Sequence, residues 1–249
     1  MKNLSETEFV CIDCETTGLD PKNDHIIEIA IVRFNLDNNL TSFDSLVDPK
    51  RLIPSESQAI HHISNEMIQG KPLIKEILPQ IYEITKGAPI IGHGIDFDIK
   101  MMQEESYRNG LNFPIEKNPV IDTLRLARLY GESPVNSLEQ LRKHFNIEEE
   151  GAHRALADVI VNISVFKHLT KQFTSLSQLL QRLEKPILIK TMPLGKHKGR
   201  PFSEIPIEYL RWAAGKEFDQ DLLYSIRKEL NNRKKQQNFF HASNPFSNL

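Results

Sequence analysis

The chain has 249 residues, of which 39% are hydrophobic and 26% are charged, which is typical of a globular protein with one ordinary domain and a small appendage. No apolar run approaches the roughly 18 residues that a membrane span needs, and the first residues lack the apolar core of a signal peptide. We therefore expect a cytoplasmic protein with no membrane partner. Cys11 and Cys14 fall in a predicted strand on opposite faces, which argues against a zinc or redox role.

The net charge of −2 is distributed unevenly along the chain. Residues 1–184 contain 19 Lys and Arg against 27 Asp and Glu, a net charge of −8, whereas residues 185–249 contain 12 against 6, a net charge of +6. A basic segment suits a polyanionic partner such as nucleic acid. The other interpretation is a solvated tail that binds nothing in particular, and the composition leaves both open.

The first strongly patterned stretch is an apolar strand that leads into two carboxylates and a glycine turn, with the sequence Phe9-Val10-Cys11-Ile12-Asp13-Cys14-Glu15-Thr16-Thr17-Gly18-Leu19. On a strand, Asp13 and Glu15 point to the same face, about 6–7 Å apart. Two such carboxylates repel each other, and a hard divalent cation with oxygen ligands would compensate their charge. The stretch therefore indicates a metal site, the plain alternative being a strand end that happens to bear acids.

The remaining pattern predicts a mixed sheet covered by helices. Two β-branched runs joined by a short turn continue the first strand as an antiparallel meander, and strands then alternate with helices. This order predicts an α/β fold with a five-stranded sheet flanked on both faces. The further strands are predicted at 26–34, 41–47, 89–93 and 120–122, and the helices at 73–86, 97–109, 123–129, 137–145 and 153–169.

Beyond this domain, residues 181–190 are predicted to form a linker and residues 219–232 a helix with an apolar stripe. The last residues, from Arg233 onward, are expected to be frayed. The chain is thus divided into a domain at 1–184 and a segment at 185–249 that contains the linker and a small basic module.

Three motifs occur in order, namely Asp13-Cys14-Glu15-Thr16-Thr17-Gly18-Leu19, His93-Gly94-Ile95-Asp96-Phe97-Asp98 and His153-Arg154-Ala155-Leu156-Ala157-Asp158. Together they resemble the exonuclease motifs of the DnaQ-like 3′-5′ exonucleases, the DEDDh family. The resemblance extends over residues 9–170 and implies the ribonuclease-H-like fold. One departure is Gly94, which stands where the family usually has Asn.

The resemblance implies one metal-dependent active site. Four carboxylates would converge there and hold two Mg²⁺ or Mn²⁺ ions, an arrangement that cleaves phosphodiesters; they are Asp13, Glu15, Asp98 and Asp158. His153 stands at the entrance to its helix, and its near-neutral intrinsic pKa suits a general base. His93 is interpreted as a structural or supporting group.

The resemblance also implies contacts with the substrate. Leu19 matches the position from which the family wedges a side chain beside the terminal base, and Thr16 and Thr17 lie where backbone amides meet the terminal nucleotide. Glu56 and His61 fall where relatives contact the 3′-terminal nucleotide.

Two further positions bear on the same pocket. Phe97 either stacks on a base, a sequence-tolerant contact, or is buried beneath the site. His62 stands where the family usually has Gly and would narrow the pocket.

The predicted function is metal-dependent 3′-5′ exonucleolytic release of nucleoside 5′-monophosphates from DNA 3′ ends, single-stranded or frayed. Residues 192–202 and 207–212 resemble the C-terminal module of exonuclease-X-type proteins, which favours a stand-alone repair enzyme over a proofreading subunit that binds a DNA polymerase. Two alternatives stay open: a 3′-5′ exoribonuclease, and a catalytically inactive adaptor that only binds nucleic acid.

Overall fold

A computed structural model describes the backbone of residues 3–130, 136–148 and 154–242, and the side chains of these ranges as far as residue 236. The chain forms two compact units, Met1–Leu183 and Glu184–Leu249. None of the helices in these ranges has the length and the apolar character that crossing a membrane requires.

The first unit is built on one five-stranded sheet with the order β3-β2-β1-β4-β5. β1 pairs with β2 and β2 with β3 in antiparallel fashion, whereas β1 with β4 and β4 with β5 are parallel. This is the mixed sheet that the sequence predicts, and the prediction is confirmed. The strands are β1 Phe9–Thr16, β2 Ile26–Phe34, β3 Asn39–Leu46, β4 Ile90–Gly92 and β5 Val120–Asp122.

Helices follow the strands in the order expected for an α/β unit. In the first unit they are α1 Ser55–His61, α2 Asn65–Ile68, α3 Ile74–Thr85, α4 Asp96–Arg108, α5 Thr123–Tyr130, α6 Leu138–His144, α7 Ala155–Leu169 and α8 Leu176–Leu183. In the second unit they are α9 Ile207–Ala214 and α10 Gln220–Ala242.

The central strands β1 and β2 are buried almost throughout, because helices pack against the sheet. Against these two strands packs α7, where Phe166 makes an aromatic cluster with Phe9 and Phe34 at centroid distances of 5.1 and 6.0 Å. Offset and edge-on aromatic pairs of this kind add about 0.5–1.5 kcal/mol each beyond their burial. This cluster fixes the C-terminal part of α7 beside the first residue of β1 and the last residue of β2.

The second unit has a small core of its own, in which Leu210 of α9 packs with Leu222 and Ile226 of α10. Two buried polar contacts tie the preceding segment to α10: Asp221 Oδ1 accepts the Ile187 N–H at 2.9 Å, and Ser225 Oγ accepts the Ile189 N–H at 2.8 Å. A buried carboxylate or hydroxyl without such a partner would be costly. These contacts fix the segment that the sequence interprets as part of a linker.

Two local predictions were wrong. α8 was not predicted, and it extends to Leu183 into the expected linker at 181–190. α10 continues to Ala242, past the predicted end at 232, so the chain after Arg233 is helical rather than frayed over this stretch. Residues 233–238 are all polar, so the extension of α10 shows no apolar period, whereas α8 has leucines at positions 176, 179, 180 and 183, a helical spacing that the sequence analysis missed.

Candidate active site

A cluster of carboxylates lies where β1 ends and α7 begins. Asp13 and Glu15 are two residues apart on β1, and Asp158 belongs to the first turn of α7. Each of the three offers an oxygen atom, and these oxygens all lie within 4.8 Å of one another. Since carboxylate oxygens are the ligands that Mg²⁺ and Mn²⁺ prefer, the donor set fits a hard divalent cation.

Asp98 lies beside this cluster rather than within it. It belongs to the first turn of α4, is buried, and its Oδ1 accepts the Cys14 N–H at 3.0 Å. This hydrogen bond joins α4 to the strand residue between Asp13 and Glu15. The structure therefore brings three of the four predicted carboxylates together and anchors the fourth on the backbone next to them.

Burial raises the pKa of three of these carboxylates, namely Asp13, Glu15 and Asp98. Burial, followed by the charges of neighbouring carboxylates, raises the pKa of Asp13 well above its usual value and the pKa of Glu15 to about 8. Burial raises the pKa of Asp98 to about 7. Such carboxylates cannot all ionise at neutral pH without a compensating positive charge. A bound cation would supply that charge.

Sequence reasoning missed Glu28, a buried residue on β2 that is the register partner of Glu15. Its carboxylate accepts hydrogen bonds from Arg154 Nε at 3.0 Å and from the Ala155 N–H at 3.1 Å. A carboxylate at the first N–H groups of a helix is favourable because of the positive end of the helix dipole. The available signal was a single charge within the apolar run Ile26-Ile27-Glu28-Ile29, which demands a partner.

The predicted general base, His153, lies outside the residues that the structure describes. Its sequence neighbour Arg154 is the residue paired with Glu28. The role of His153 therefore stays a prediction.

His93 follows β4, and its ring is held on both sides. Nε2 donates to the Asn136 carbonyl oxygen at 2.8 Å, and Nδ1 lies 3.1 Å from Thr123 Oγ1. Burial lowers the pKa of His93 to about 4. A neutral, doubly hydrogen-bonded imidazole agrees with the structural role that the sequence suggests.

The residues of the first motif differ in how accessible their side chains are. The Thr16 hydroxyl donates to the Gly18 carbonyl at 2.7 Å, and the Thr17 hydroxyl donates to Asp24 at 2.8 Å. Both hydroxyls are thus engaged within the turn. Leu19, in contrast, is 86% exposed, so its side chain is free to contact a ligand.

Helix α1 is joined to that turn because Ser57 Oγ donates to the Thr17 carbonyl at 2.8 Å. Glu56 is exposed on this helix. His61 is buried, its Nδ1 accepts the Ile63 N–H at 3.0 Å, and its Nε2 has no hydrogen-bond partner among the described residues. Because Nδ1 accepts, Nε2 bears the proton, and His61 is left with an unused donor.

Two positions with a left-handed backbone and one aromatic residue complete the predicted set. Gly94 has φ of +75°, a left-handed conformation that Gly and Asn tolerate better than other residues, which explains how Gly replaces the usual Asn. His62 caps α1 with φ of +59° and is exposed. Phe97 is partly buried and packs against the core of the sheet.

Comparisons with known proteins identify the family. A family model described as "Exonuclease" matches residues 10–166, so the chain belongs to the exonuclease family, as its motifs predict. A second model, described as "Putative quorum-sensing-regulated virulence factor", matches residues 179–226.

Two curated relatives illustrate the extent of the similarity. The DNA polymerase III subunit epsilon of Aquifex aeolicus is 34% identical over 167 residues, which cover 66% of this chain and 81% of that protein. The PolC-type DNA polymerase III of Clostridium perfringens is 34% identical over 168 residues, 67% of this chain but 11% of that protein. The chain therefore spans only a small part of the much longer PolC-type relative.

Solved structures confirm the ribonuclease-H-like fold. Exonuclease X in complex with 5′-overhanging duplex DNA aligns with a TM-score of 0.56 and 25% identity, covering 70% of this chain and 98% of that chain. Exonuclease I of E. coli in complex with a dA16 oligonucleotide aligns with a TM-score of 0.62 and 22% identity, covering 72% of this chain and 43% of that chain. Because the identity with exonuclease I is only 22%, that similarity concerns the fold alone.

Proposed function

We propose that the chain is a metal-dependent 3′-5′ exonuclease that releases nucleoside 5′-monophosphates from DNA 3′ ends. The observation that supports this most is the meeting of Asp13, Glu15 and Asp158, whose oxygens lie within 4.8 Å of one another. Residues from the first strand and the seventh helix are brought together there at a high electrostatic cost. Bound cations would offset this repulsion, which explains why the fold brings the carboxylates together.

In this proposal Asp13, Glu15, Asp98 and Asp158 would hold two divalent cations, Mg²⁺ or Mn²⁺. Cations bound there would acidify the attacking water and offset negative charge on the leaving oxygen. His153 takes the proton of that water as general base. Asp98, through its bond to the Cys14 N–H, holds the carboxylates of β1 at their separation.

The substrate contacts are proposed on the same grounds. Leu19 inserts beside the terminal base, and its exposure leaves it free to do so. Glu56, which is exposed, and His61, which is buried on the same helix, are assigned to the terminal nucleotide. Thr16 and Thr17 act through their backbone amides, since their hydroxyls are already engaged.

Phe97 is assigned a supporting role beneath the site rather than a stacking role, because it packs against the core. Of the two alternatives for this residue, partial burial favours the first. A base could stack only on the part of the ring that remains accessible.

A DNA substrate is supported by relatives and neighbours that are DNA polymerase III subunits and a DNA-bound exonuclease X. We favour a stand-alone repair enzyme, since the chain has a second unit after the exonuclease domain, with the division proposed at 184/185. A proofreading role beside a polymerase is the second candidate, and the similarity to subunit epsilon favours it.

The test is hydrolysis of 5′-labelled single-stranded DNA, matched duplex, mismatched duplex and RNA with Mg²⁺, Mn²⁺ or EDTA. We expect stepwise shortening from the 3′ end of DNA that requires the cation. Asp13→Asn and Asp158→Asn should abolish it, whereas Asp96→Asn, an exposed carboxylate two residues from Asp98, should not.

Other outcomes would change the assignment. Faster cleavage of RNA than of DNA would indicate an exoribonuclease. Tight DNA binding with no cleavage under any cation would indicate an inactive adaptor. Substantial cleavage by both Asp variants would remove these carboxylates from the active site.

A further inference from the structure

The second unit presents a row of aromatic and cationic side chains at its surface. Tyr209 and Trp212 lie three residues apart on α9 with ring centroids 5.2 Å apart. Lys196 Nζ lies 5.1 Å from the centroid of Tyr209, and Lys216 Nζ lies 5.1 Å from the centroid of Trp212. We call these four residues the aromatic row.

The aromatic row lies at the edge of the core of its unit: Tyr209 is partly buried and packs against that core, whereas Trp212 is exposed. On the same helix, Leu210 and Ala213 point inward and are at most 1% exposed, whereas Trp212 is 53% exposed. Helical spacing explains the difference, because residues 210 and 213 share one face and residues 209 and 212 share another. A single exposed apolar side chain is ordinary, but here the indole lies next to a second ring and two lysines, and this combination is what a binding surface requires.

The turn that positions Lys196 is built to approach Tyr209 closely. Gly195 has φ of +71°, and a Cβ atom there would lie 2.9 Å from Tyr209 Oη. Only glycine therefore allows both the left-handed turn and the contact. His197, at the end of the same turn, packs edge-on against Tyr209 with a centroid distance of 4.5 Å. The arrangement of cation and ring is thus fixed by the fold.

Charge indicates the class of partner. Residues 195–217 contain five Lys and Arg against three Glu, and residues 185–249 have a net charge of +6. An aromatic pair with a cation at each end suits a single-stranded nucleic acid, because its bases can stack on the rings while its phosphates contact the cations. A protein could also pack against the two rings, but the flanking lysines would contribute less to its binding than to the binding of a polyanion.

We propose that the aromatic row binds single-stranded DNA, with bases stacking on Trp212 and Tyr209 while Lys196 and Lys216 contact phosphates. This is a second nucleic-acid contact, in a different unit from the carboxylate cluster, and it goes beyond the proposed hydrolysis. Such a contact would hold a DNA strand whose phosphates are repelled by the acidic segment 1–184, which has a net charge of −8.

The chain offers a direct probe, because Trp212 is its only tryptophan. The experiment is a titration of the full-length protein with long oligothymidylate in EDTA, followed by intrinsic fluorescence and repeated over a range of KCl concentrations. We expect stacking to quench the fluorescence and salt to reverse the quenching. EDTA prevents hydrolysis, so the titration measures DNA binding alone. If DNA quenches the fluorescence in EDTA but is not hydrolysed when Mg²⁺ is added, the result contradicts the proposed active site and leaves the aromatic row supported.

Variants distinguish base stacking from phosphate contacts in DNA binding. Trp212→Ala should weaken binding, measured by anisotropy of labelled DNA, by about 5- to 100-fold with the salt slope unchanged. Lys196→Glu together with Lys216→Glu should flatten the log-log salt slope by roughly 1.4, about 0.7 for each phosphate that is no longer neutralised. The matched control is Tyr224→Ala with Lys228→Glu, an exposed pair on α10 with Nζ 5.8 Å from the ring, and it should leave the quenching and affinity unchanged.

Two results would overturn the proposal. One is DNA binding that leaves the Trp212 fluorescence unchanged and is insensitive to Trp212→Ala. The other is a Trp212 signal that responds to protein concentration and not to DNA, which would make the row a contact between copies of the chain. Circular dichroism of each variant verifies that the unit remains folded.

Discussion

Glu28 and Arg154 form an ion pair that fixes where α7 begins relative to the sheet. The Glu28 side chain is 5% exposed and the Arg154 side chain 45%, and the same carboxylate also receives the Ala155 N–H. Asp158 lies one turn further along the helix, and Glu28 faces Glu15 in the neighbouring strand. One buried side chain thus sets the distance between the carboxylates contributed by β1 and by α7.

We expect Glu28→Gln to lower both activity and stability, because the helix start loses its charged anchor. Breaking a fully buried pair costs about 3–5 kcal/mol, and the exposure of Arg154 reduces the expected loss to about 2 kcal/mol. Urea unfolding and hydrolysis rates measure the two effects. The control is Glu8→Gln, which breaks the surface pair with Arg33 and should cost under about 1 kcal/mol. Equal losses in the two variants would show that the Glu28 pair has no special role.

The metal-free protein should become less stable as the pH rises from about 5 to about 8. Glu15 has a pKa of about 8 in the folded chain against an ordinary value of 4.5, so the folded state binds the proton more tightly over this interval and loses that advantage as the pH rises through it. The effect should be on the order of 3 kcal/mol, after allowance for partial exposure.

Thermal unfolding in EDTA across this pH range measures it. Mn²⁺ or Mg²⁺ should restore stability at pH 8 by mass action, and Glu15→Gln should flatten the pH dependence. An unchanged slope in Glu15→Gln would contradict the assignment of the pKa to this residue.

Replacing His153 by Ala should slow hydrolysis by about 10²–10⁴-fold, the usual contribution of a general base, with DNA affinity largely preserved. The rate of the wild type should fall on acidification as the base is protonated. If the hydrolysis rate of the variant fell on acidification with the same midpoint as that of the wild type, a group other than His153 would be titrating. His93 is not that group, since its pKa of about 4 keeps it neutral over the relevant range.

Leu19→Ala should raise KM for duplex ends by about tenfold, because the variant buries less apolar surface against the terminal base, and raise it less for single strands. A wedge beside the terminal base matters most where that base must first be unpaired. Because the side chain is 86% exposed, stability should change by less than about 0.5 kcal/mol. Leu52→Ala, at 77% exposure, is the matched control and should leave KM unchanged for both substrates.

His62→Gly should raise the free energy of unfolding by about 0.5 kcal/mol, because the left-handed conformation at φ of +59° is costly for a residue with a Cβ atom. Chemical denaturation measures the change. Gln69→Gly, at the end of α2 with φ of −61°, provides the opposite control and should destabilise the protein. Stabilisation of both variants would point to a cause other than backbone strain.

Much of the fold was accessible to sequence reasoning because it depends on local periodicity. Alternation along β1 puts Asp13 and Glu15 on one face, and the order of strands and helices predicts the mixed sheet. The additional length of α10 was not predicted, since a polar stretch gives a weak periodic signal and its helicity depends on tertiary packing. The leucines of α8 do have helical spacing, and that helix could have been predicted from the sequence.

What the sequence determined by itself was the chemistry available: the carboxylates, the three motifs and the basic second unit. Only the tertiary structure decided that Asp158 meets Asp13 and Glu15 while Asp98 binds the Cys14 N–H instead. The same holds for Trp212, which the sequence could not tell from the neighbouring core residue Leu210. Which face of a helix is covered depends on contacts between elements far apart in the chain, and no local pattern encodes those contacts.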